Sequence, residues 1–116
     1  MVKIIIKCFL LISVLGFASS GLSGGELKKI IIIDVRTALE FNSGHFQGAI
    51  NIPYDKIAEK IEEVTKDKNQ KIILYCRSSR RSGIAKTTLE KLGYLNVENA
   101  GTLSDMRKRF PDGVVK

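Results

Sequence analysis

Cysteine is scarce in this sequence, and its scarcity limits the covalent chemistry open to the chain. The 116 residues include two cysteines, Cys8 and Cys76. Cys8 lies in an N-terminal segment with the pattern of a removable leader, so the mature chain is predicted to keep Cys76 alone. A lone cysteine excludes an internal disulfide and leaves either a free reactive thiol or an intermolecular bridge.

Aromatic residues are also few, which argues against a nucleic-acid partner. They make up 7% of the chain, and tryptophan is absent. The formal net charge of +7 falls to +5, from 17 basic and 12 acidic residues, once Lys3 and Lys7 leave with the leader. That charge permits nucleic-acid binding, but no stripe of aromatic side chains accompanies it. We predict no nucleic-acid partner, no metal and no cofactor.

The first 20 residues are typical of an export signal. Two lysines precede the apolar run Cys8–Phe17, and small residues follow from Ala18 to Ser20. This order of charge, apolar run and small residues defines a secretory signal peptide. The run is too short to favour a permanent membrane span, although an uncleaved anchor is the alternative. We predict an exported, periplasmic protein with a signal peptide at 1–20, a flexible linker at 21–29 and one domain at 30–116.

Apolar runs and helical patterns alternate along the rest of the chain. The run Ile30–Ile33 predicts a buried parallel strand. Thr37 and Glu40 form a capping box that begins a short helix, and Gly44 ends that helix. Asp55 is predicted to cap the next helix.

The second half of the chain repeats this alternation. Ile72–Tyr75 predicts a central strand, and Ser82–Leu92 predicts a helix. A short strand at Leu95–Glu98, a turn at Asn99–Thr102 and a helix at Ser104–Arg109 follow. The predicted inward face of the long helix consists of Ile84, Ala85, Thr88, Leu89 and Leu92. The alternation implies an α/β fold, a small parallel sheet flanked by helices on both faces.

Cys76 ends the central strand and opens a basic loop. The stretch KIILYCRSSRRSG has no acidic residue and three arginines, Arg77, Arg80 and Arg81. In α/β sheets, ligands bind at the carboxyl ends of strands, and successive amides before a helix bind anions. Neighbouring positive charge lowers a thiol pKa from roughly 8.5 into about 3.5–7.5. The loop predicts a nucleophilic thiolate beside an anion site, and the alternative is an inert buried cysteine.

Three stretches together resemble the rhodanese family of sulfurtransferases, especially its small exported single-domain members. They are IDVRTALEFNSGHFQGAINIP from Ile33 to Pro53, the loop YCRSSRRSG, and LGYLNVENAGTLSDM from Leu92 to Met106. The resemblance implies a rhodanese-like fold and transfer of a sulfane sulfur through a persulfide on Cys76. It also implies a small anionic donor such as thiosulfate, and cyanide or a thiol as the acceptor. The sequence leaves the oligomeric state open.

The resemblance assigns roles within the loop. Cys76 is the nucleophile, and the backbone amides of Arg77, Ser78, Ser79, Arg80 and Arg81 cradle the outer sulfur. Arg81 holds the oxyanion end of the donor, while Arg77 and Arg80 add positive charge. Ser79 stands where the family usually has glycine, so a positive φ there carries a strain of about 1 kcal/mol.

Residues before the loop have supporting roles. Asp34 and Arg36 lie at the end of the first strand and are interpreted as a structural ion pair or loop brace beside the site, with a direct chemical role as the alternative. His45 lies in a turn, where a structural hydrogen bond is a better interpretation than catalysis. Glu40 is interpreted as the acid of the capping box.

Two other function classes fit parts of the pattern. Phosphatases and arsenate reductases of a related fold place five residues between the cysteine and an arginine, whereas four lie between Cys76 and Arg81. The shorter loop suits a single sulfur atom better than a phosphoryl group. A non-catalytic rhodanese-like binding module is the other alternative, and the presence of Cys76 argues against it.

Overall fold

The computed structural model describes residues 29–113, so the predicted leader and nearly all of the linker lie outside the described residues. Four parallel strands form one sheet in the order β2-β1-β3-β4. The elements along the chain are β1 (Ile30–Asp34), α1 (Ala38–Ser43), β2 (Ile50–Asn51), α2 (Ile57–Val64), β3 (Lys71–Cys76), α3 (Arg80–Lys91), β4 (Val97–Thr102) and α4 (Leu103–Arg109). This order confirms the predicted alternation.

The two central strands are apolar on both faces, and each face carries its own core. Alternate residues of β1 and β3 pack with Ile57 and Ile61 of α2 and with Ala85 and Leu89 of α3. The other face packs against Met106 and its neighbours around α4. Burial on both sides is what a parallel sheet requires, and the prediction of helices on both faces is confirmed.

The capping box of α1 forms as predicted. Thr37 Oγ1 accepts from Glu40 N at 3.2 Å, and Thr37 N donates to Glu40 Oε1 at 2.9 Å. Gly44 N donates to Phe41 O at 3.1 Å and ends the helix. Both ends of this short helix were therefore readable from local sequence chemistry.

One helix prediction is wrong and another is right in part. Asp55 does not cap α2, because Lys56 occupies the position before the helix and no side chain caps it there. The predicted inward face of α3 is confirmed at Ala85 and Leu89 and wrong at Ile84 and Leu92, which are 40% and 41% exposed, while Ser82 is buried instead. The helix is rotated so that Ser82 faces the end of β3.

The strand predicted at 95–98 forms with later bounds and the turn predicted at 99–102 is wrong, because β4 spans Val97–Thr102. The Asn-Ala-Gly composition suggested a turn, but the chain stays paired to β3 through an irregular register between Leu74 and Cys76. Gly101 adopts φ +94, and an added Cβ would collide with the Asp105 carboxylate. The turn-like residues therefore form a distorted strand end, as in a β-bulge.

Candidate active site at the Cys76 loop

Cys76 lies at the carboxyl end of β3, at the sheet edge where the sequence placed it. It pairs in register with Thr102 at the end of β4. Three residues, Arg77, Ser78 and Ser79, connect it to the first turn of α3. The thiol therefore lies between two strand ends and a helix N-terminus, the position at which α/β sheets bind ligands.

The Cys76 sulfur is enclosed and surrounded by hydrogen-bond donors. Burial raises the pKa of the Cys76 thiol, but hydrogen bonds from the Ser82 hydroxyl and from the amides of Ser82, Ser78 and Arg81 outweigh burial. The net pKa of Cys76 lies below its ordinary value. Ser82 Oγ is 3.3 Å from Cys76 Sγ. The loop thus favours the thiolate chiefly through backbone amides and one hydroxyl, rather than through the arginines that the sequence emphasised.

Ser79 adopts a left-handed backbone conformation. Its φ is 66° and its ψ is −8°, and no other non-glycine residue within 29–113 has a positive φ. A serine in this region is strained by about 1 kcal/mol relative to glycine. The position therefore has the conformation anticipated for a residue that is usually glycine, and the chain accommodates a side chain there.

Arg81 is paired with Glu40 in a two-pronged contact that the sequence did not reveal. Arg81 Nη1 donates to Glu40 Oε1 at 3.0 Å, and Nη2 donates to Oε2 at 3.2 Å. The prediction of Glu40 as a capping acid alone was incomplete. Both terminal nitrogens of Arg81 therefore already donate one hydrogen bond each to the Glu40 carboxylate. Any contact to a substrate uses its remaining hydrogens.

The other two loop arginines are exposed. Arg77 Nη1 lies 3.7 Å from Glu40 Oε2, and its side chain is 77% exposed. Arg80 is exposed at the first position of α3. Both contribute charge near the loop mouth, where solvent and salt weaken it.

Asp34 and Arg36 form a buried brace beneath the site. Arg36 Nε and Nη2 donate to the Asp34 carboxylate at distances from 2.7 to 3.0 Å, and Nη2 also donates to Gly44 O at 2.6 Å. Tyr75 Oη donates to Asp34 Oδ2 at 2.7 Å and accepts from Phe46 N at 2.9 Å. Burial raises the pKa of Tyr75 above its usual range. The predicted ion pair is present, its supporting role at the site stays a prediction, and Tyr75 is a partner that the sequence did not suggest.

His45 has a structural contact. Its Nδ1 lies 2.9 Å from Phe41 O, and its ring stacks on that of Phe41 with centroids 3.6 Å apart. This geometry confirms the structural interpretation.

Two polar residues at the site, Ser82 and Asn99, escaped the sequence-based prediction. Ser82 is fully buried, and its hydroxyl lies 2.6 Å from Asn99 Oδ1. The sequence pattern predicts Asn99 in a turn, whereas it lies in β4. The available signal was the position of Ser82 in the first turn of α3, where a hydroxyl faces back toward the strand end.

An open cleft of about 710 Å³ borders the loop. Three arginines and one glutamate are among the residues that line it, which are Arg36, Glu40, Ser43, Arg77, Thr102, Leu103, Ser104 and Arg107.

Within residues 29–113, no helix has the length and apolarity needed to cross a bilayer. No group of acidic, histidine or cysteine side chains in that range is arranged to hold a metal ion.

Comparison with known proteins places these features in a family. Residues 20–100 match the family model described as a rhodanese-like domain. Thiosulfate sulfurtransferase PspE of Escherichia coli is 46% identical over 74 residues, covering 64% of this chain and 71% of that protein. The uncharacterized protein YqhL of Bacillus subtilis is 42% identical over 72 residues, covering 62% of this chain and 56% of YqhL.

Solved structures show the same fold. An E. coli structure described as a rhodanese with anions aligns with a TM-score of 0.64 at 44% identity, covering 66% of this chain and 91% of that one. The human single-domain sulfurtransferase TSTD1 aligns with a TM-score of 0.60 at 21% identity, a likeness of fold alone. The family match and the sequence identity confirm the predicted fold class and enzyme class: the chain belongs to the rhodanese-like sulfurtransferase family.

Proposed function

We propose that the chain transfers a sulfane sulfur from thiosulfate, or a similar anionic donor, to cyanide or a thiol through a persulfide on Cys76. The observation that carries this proposal is the set of three backbone amides around the sulfur, those of Ser78, Arg81 and Ser82, with the Ser82 hydroxyl oxygen 3.3 Å from Sγ. Such donors stabilise a thiolate before the reaction and a negatively charged outer sulfur after it.

The reaction has two displacement steps at sulfur. In the first, the Cys76 thiolate attacks the outer sulfur of thiosulfate, a new S–S bond forms, and sulfite leaves with the electron pair of the broken bond. In the second, cyanide or a thiolate attacks the outer sulfur of the Cys76 persulfide. Thiocyanate or a new persulfide forms, and the Cys76 thiolate is regenerated.

The loop residues divide the remaining tasks. The amides of the loop from Arg77 to Arg81, with Ser78 and Ser79 between them, cradle the transferred sulfur. Arg81, oriented by Glu40, uses its remaining hydrogens on the oxyanion end of the donor. Arg77 and Arg80 attract the anion from solution.

Structural support comes from behind the loop. Asp34 and Arg36 support the site without touching the reacting atoms, because their hydrogen bonds connect β1, β3 and the end of α1. The positively charged cleft beside Arg77 supplies a route for anionic reactants.

The leader makes export part of the proposal. Residues 1–20 direct the chain out of the cytoplasm and are removed, leaving the linker and the domain at 30–116 in the periplasm. The support for this step is the sequence pattern alone.

One mass measurement tests the chemistry. Incubation of the full chain with thiosulfate should add one sulfur atom, about 32 Da, and cyanide should remove it. Cys76→Ser should abolish the gain, and Cys8→Ser is the matched control that should keep it. A chain that gains no mass while remaining folded is a binding module instead. Release of nitrophenol from p-nitrophenyl phosphate without a sulfur adduct would favour a phosphatase.

A further inference from the structure

Asn99 contacts the Cys76 loop at two points from the neighbouring strand β4. Its Nδ2 donates to Ser79 O at 3.3 Å, and its Oδ1 accepts from Ser82 Oγ at 2.6 Å. The same Oδ1 accepts from Gly101 N at 3.0 Å, which fixes the orientation of the amide. One side chain therefore ties the start of α3 to the edge of the sheet.

The first contact falls on the strained residue of the loop. Ser79 has φ 66°, a conformation that disfavours any residue with a Cβ. The hydrogen bond from Asn99 to the Ser79 carbonyl is made with the backbone in this conformation, alongside the one from Gly83 N at 3.1 Å, and it therefore favours the strained form. A strained residue persists where its surroundings hold it in place.

The second contact fixes the hydroxyl next to the sulfur. Ser82 Oγ has one proton and three acceptors within reach, at 2.6 Å (Asn99 Oδ1), 3.2 Å (Ser79 O) and 3.3 Å (Cys76 Sγ). The contact with Asn99 is the shortest, and Ser82 is fully buried. Asn99 therefore sets where the Ser82 oxygen lies relative to the thiol.

We propose that Asn99 is a positioning residue that clamps the Cys76 loop in its reactive conformation, and that the clamp is needed because serine, not glycine, occupies the left-handed position 79. The catalytic consequence rests on the proposed sulfur transfer. The clamp itself concerns only the conformation of the loop, and amide hydrogen exchange measures it without any turnover.

Hydrogen exchange in the full chain tests the clamp without any turnover. Asn99→Ala should speed amide exchange in the peptide covering residues 77–82 by roughly 5- to 50-fold, the effect of losing one or two hydrogen bonds. The rate constant kcat/KM for thiosulfate should fall by a similar factor, roughly 5- to 50-fold. The matched control is Asn96→Ala, because Asn96 lies before β4 at the opposite end of the sheet and its exposed side-chain amide donates to Asn69 O at 3.5 Å, away from the Cys76 loop.

A second substitution separates a clamp from general structural support. In a Ser79→Gly background the left-handed conformation is free of strain. Asn99→Ala should then change exchange and kcat/KM by less than about threefold relative to Ser79→Gly alone, because the two sites are coupled. The proposal is wrong if Asn99→Ala changes exchange and kcat/KM by the same factor in both backgrounds. It is also wrong if Asn99→Ala leaves amide exchange unchanged.

The remaining outcomes are also decisive. If Asn99→Ala folds only in the Ser79→Gly background, as judged by thermal melting, the clamp is supported. If it fails to fold in both backgrounds, Asn99 is a general structural residue and the proposal is wrong. If the unsubstituted chain does not transfer sulfur, the proposed function is wrong. The comparison of amide exchange between that chain and Asn99→Ala still tests the clamp. If the unsubstituted chain transfers sulfur and Asn99→Ala leaves amide exchange unchanged, the clamp is wrong and the proposed function stands.

Discussion

The Glu40 carboxylate joins two features that are 41 residues apart in sequence. It accepts from the backbone at the start of α1 and from both terminal nitrogens of Arg81. The hydrogen bond from Arg81, followed by that from Thr37, lowers the pKa of Glu40 to about 2. Arg81 is thereby held in one orientation before any substrate arrives, and a preoriented guanidinium loses less freedom on binding an anion.

Substitution of the loop arginines tests this orientation. We expect Arg81→Ala to lower kcat/KM for thiosulfate by roughly 10- to 150-fold, the loss of one charge-assisted contact. Arg81→Lys should not restore it, because lysine cannot engage Glu40 and the donor with a planar fork. Arg80→Ala, on the same loop but exposed, should lose less. A larger loss in Arg80→Ala than in Arg81→Ala would show that the roles within the loop are assigned one residue off.

At the scale of elements, α1 is held by its ends. None of its six residues is buried, so packing contributes little to the stability of α1. The helix is stabilised mainly by its capping box and by the ion pair between Glu40 and Arg81. The Glu40 carboxylate of this helix in turn orients the Arg81 guanidinium next to the Cys76 loop. A helix without a buried face thus becomes part of the site through one carboxylate.

Acid titration tests this dependence on Glu40. A carboxyl whose folded pKa of about 2 is lower than its usual 4.5 adds stability above pH 4.5, and that stability is lost as the pH falls toward 2. Glu40→Gln should lower the free energy of unfolding by about 1–2 kcal/mol at pH 7. The difference from the parent should vanish near pH 2. Urea unfolding across this range measures it, with the exposed Glu62→Gln of α2 as control. A constant difference at every pH would contradict the ionic role.

The elements also show what local sequence could and could not predict. The isoleucine run of β1 and the Thr37 capping box depend on neighbouring residues, and both formed as predicted. The face of α3 depends on Ser82 turning toward Cys76 and Asn99, which leaves Ile84 exposed. Likewise, the Asn-Ala-Gly stretch is part of β4 because this segment pairs with β3. These outcomes follow from tertiary contacts that no local pattern records.

At the scale of the whole molecule, the parallel sheet gathers the site from distant segments. The ends of β1, β3 and β4 all meet at one edge, so the Asp34 brace, Cys76 and Asn99 converge although they span more than half of the chain. The position of Cys76 was predictable from this rule. The Glu40–Arg81 and Asn99–Ser79 contacts required the assembled structure.

Export is the prediction that belongs to the entire chain. Protein recovered from the exported fraction should begin at residue 19 or 21, because cleavage is expected after Ala18 or Ser20, where small residues follow the apolar run. Edman sequencing or intact mass measures the N-terminus. Leu11→Arg, which interrupts the apolar run, should retain the chain in the cytosol. An exported chain that still begins at Met1 would show an uncleaved anchor, and recovery of the parent only from the cytosol would contradict export.

The complete burial of Cys76 has a consequence for the survival of its sulfur. An exposed low-pKa thiol in an oxidising compartment is consumed by sulfenic acid formation and by mixed disulfides. Because Cys76 is fully buried in this structure, we expect a bulky disulfide to react with Sγ more slowly than with an exposed thiol. In this conformation the sulfur is therefore flanked by hydrogen-bond donors and shielded from large oxidants.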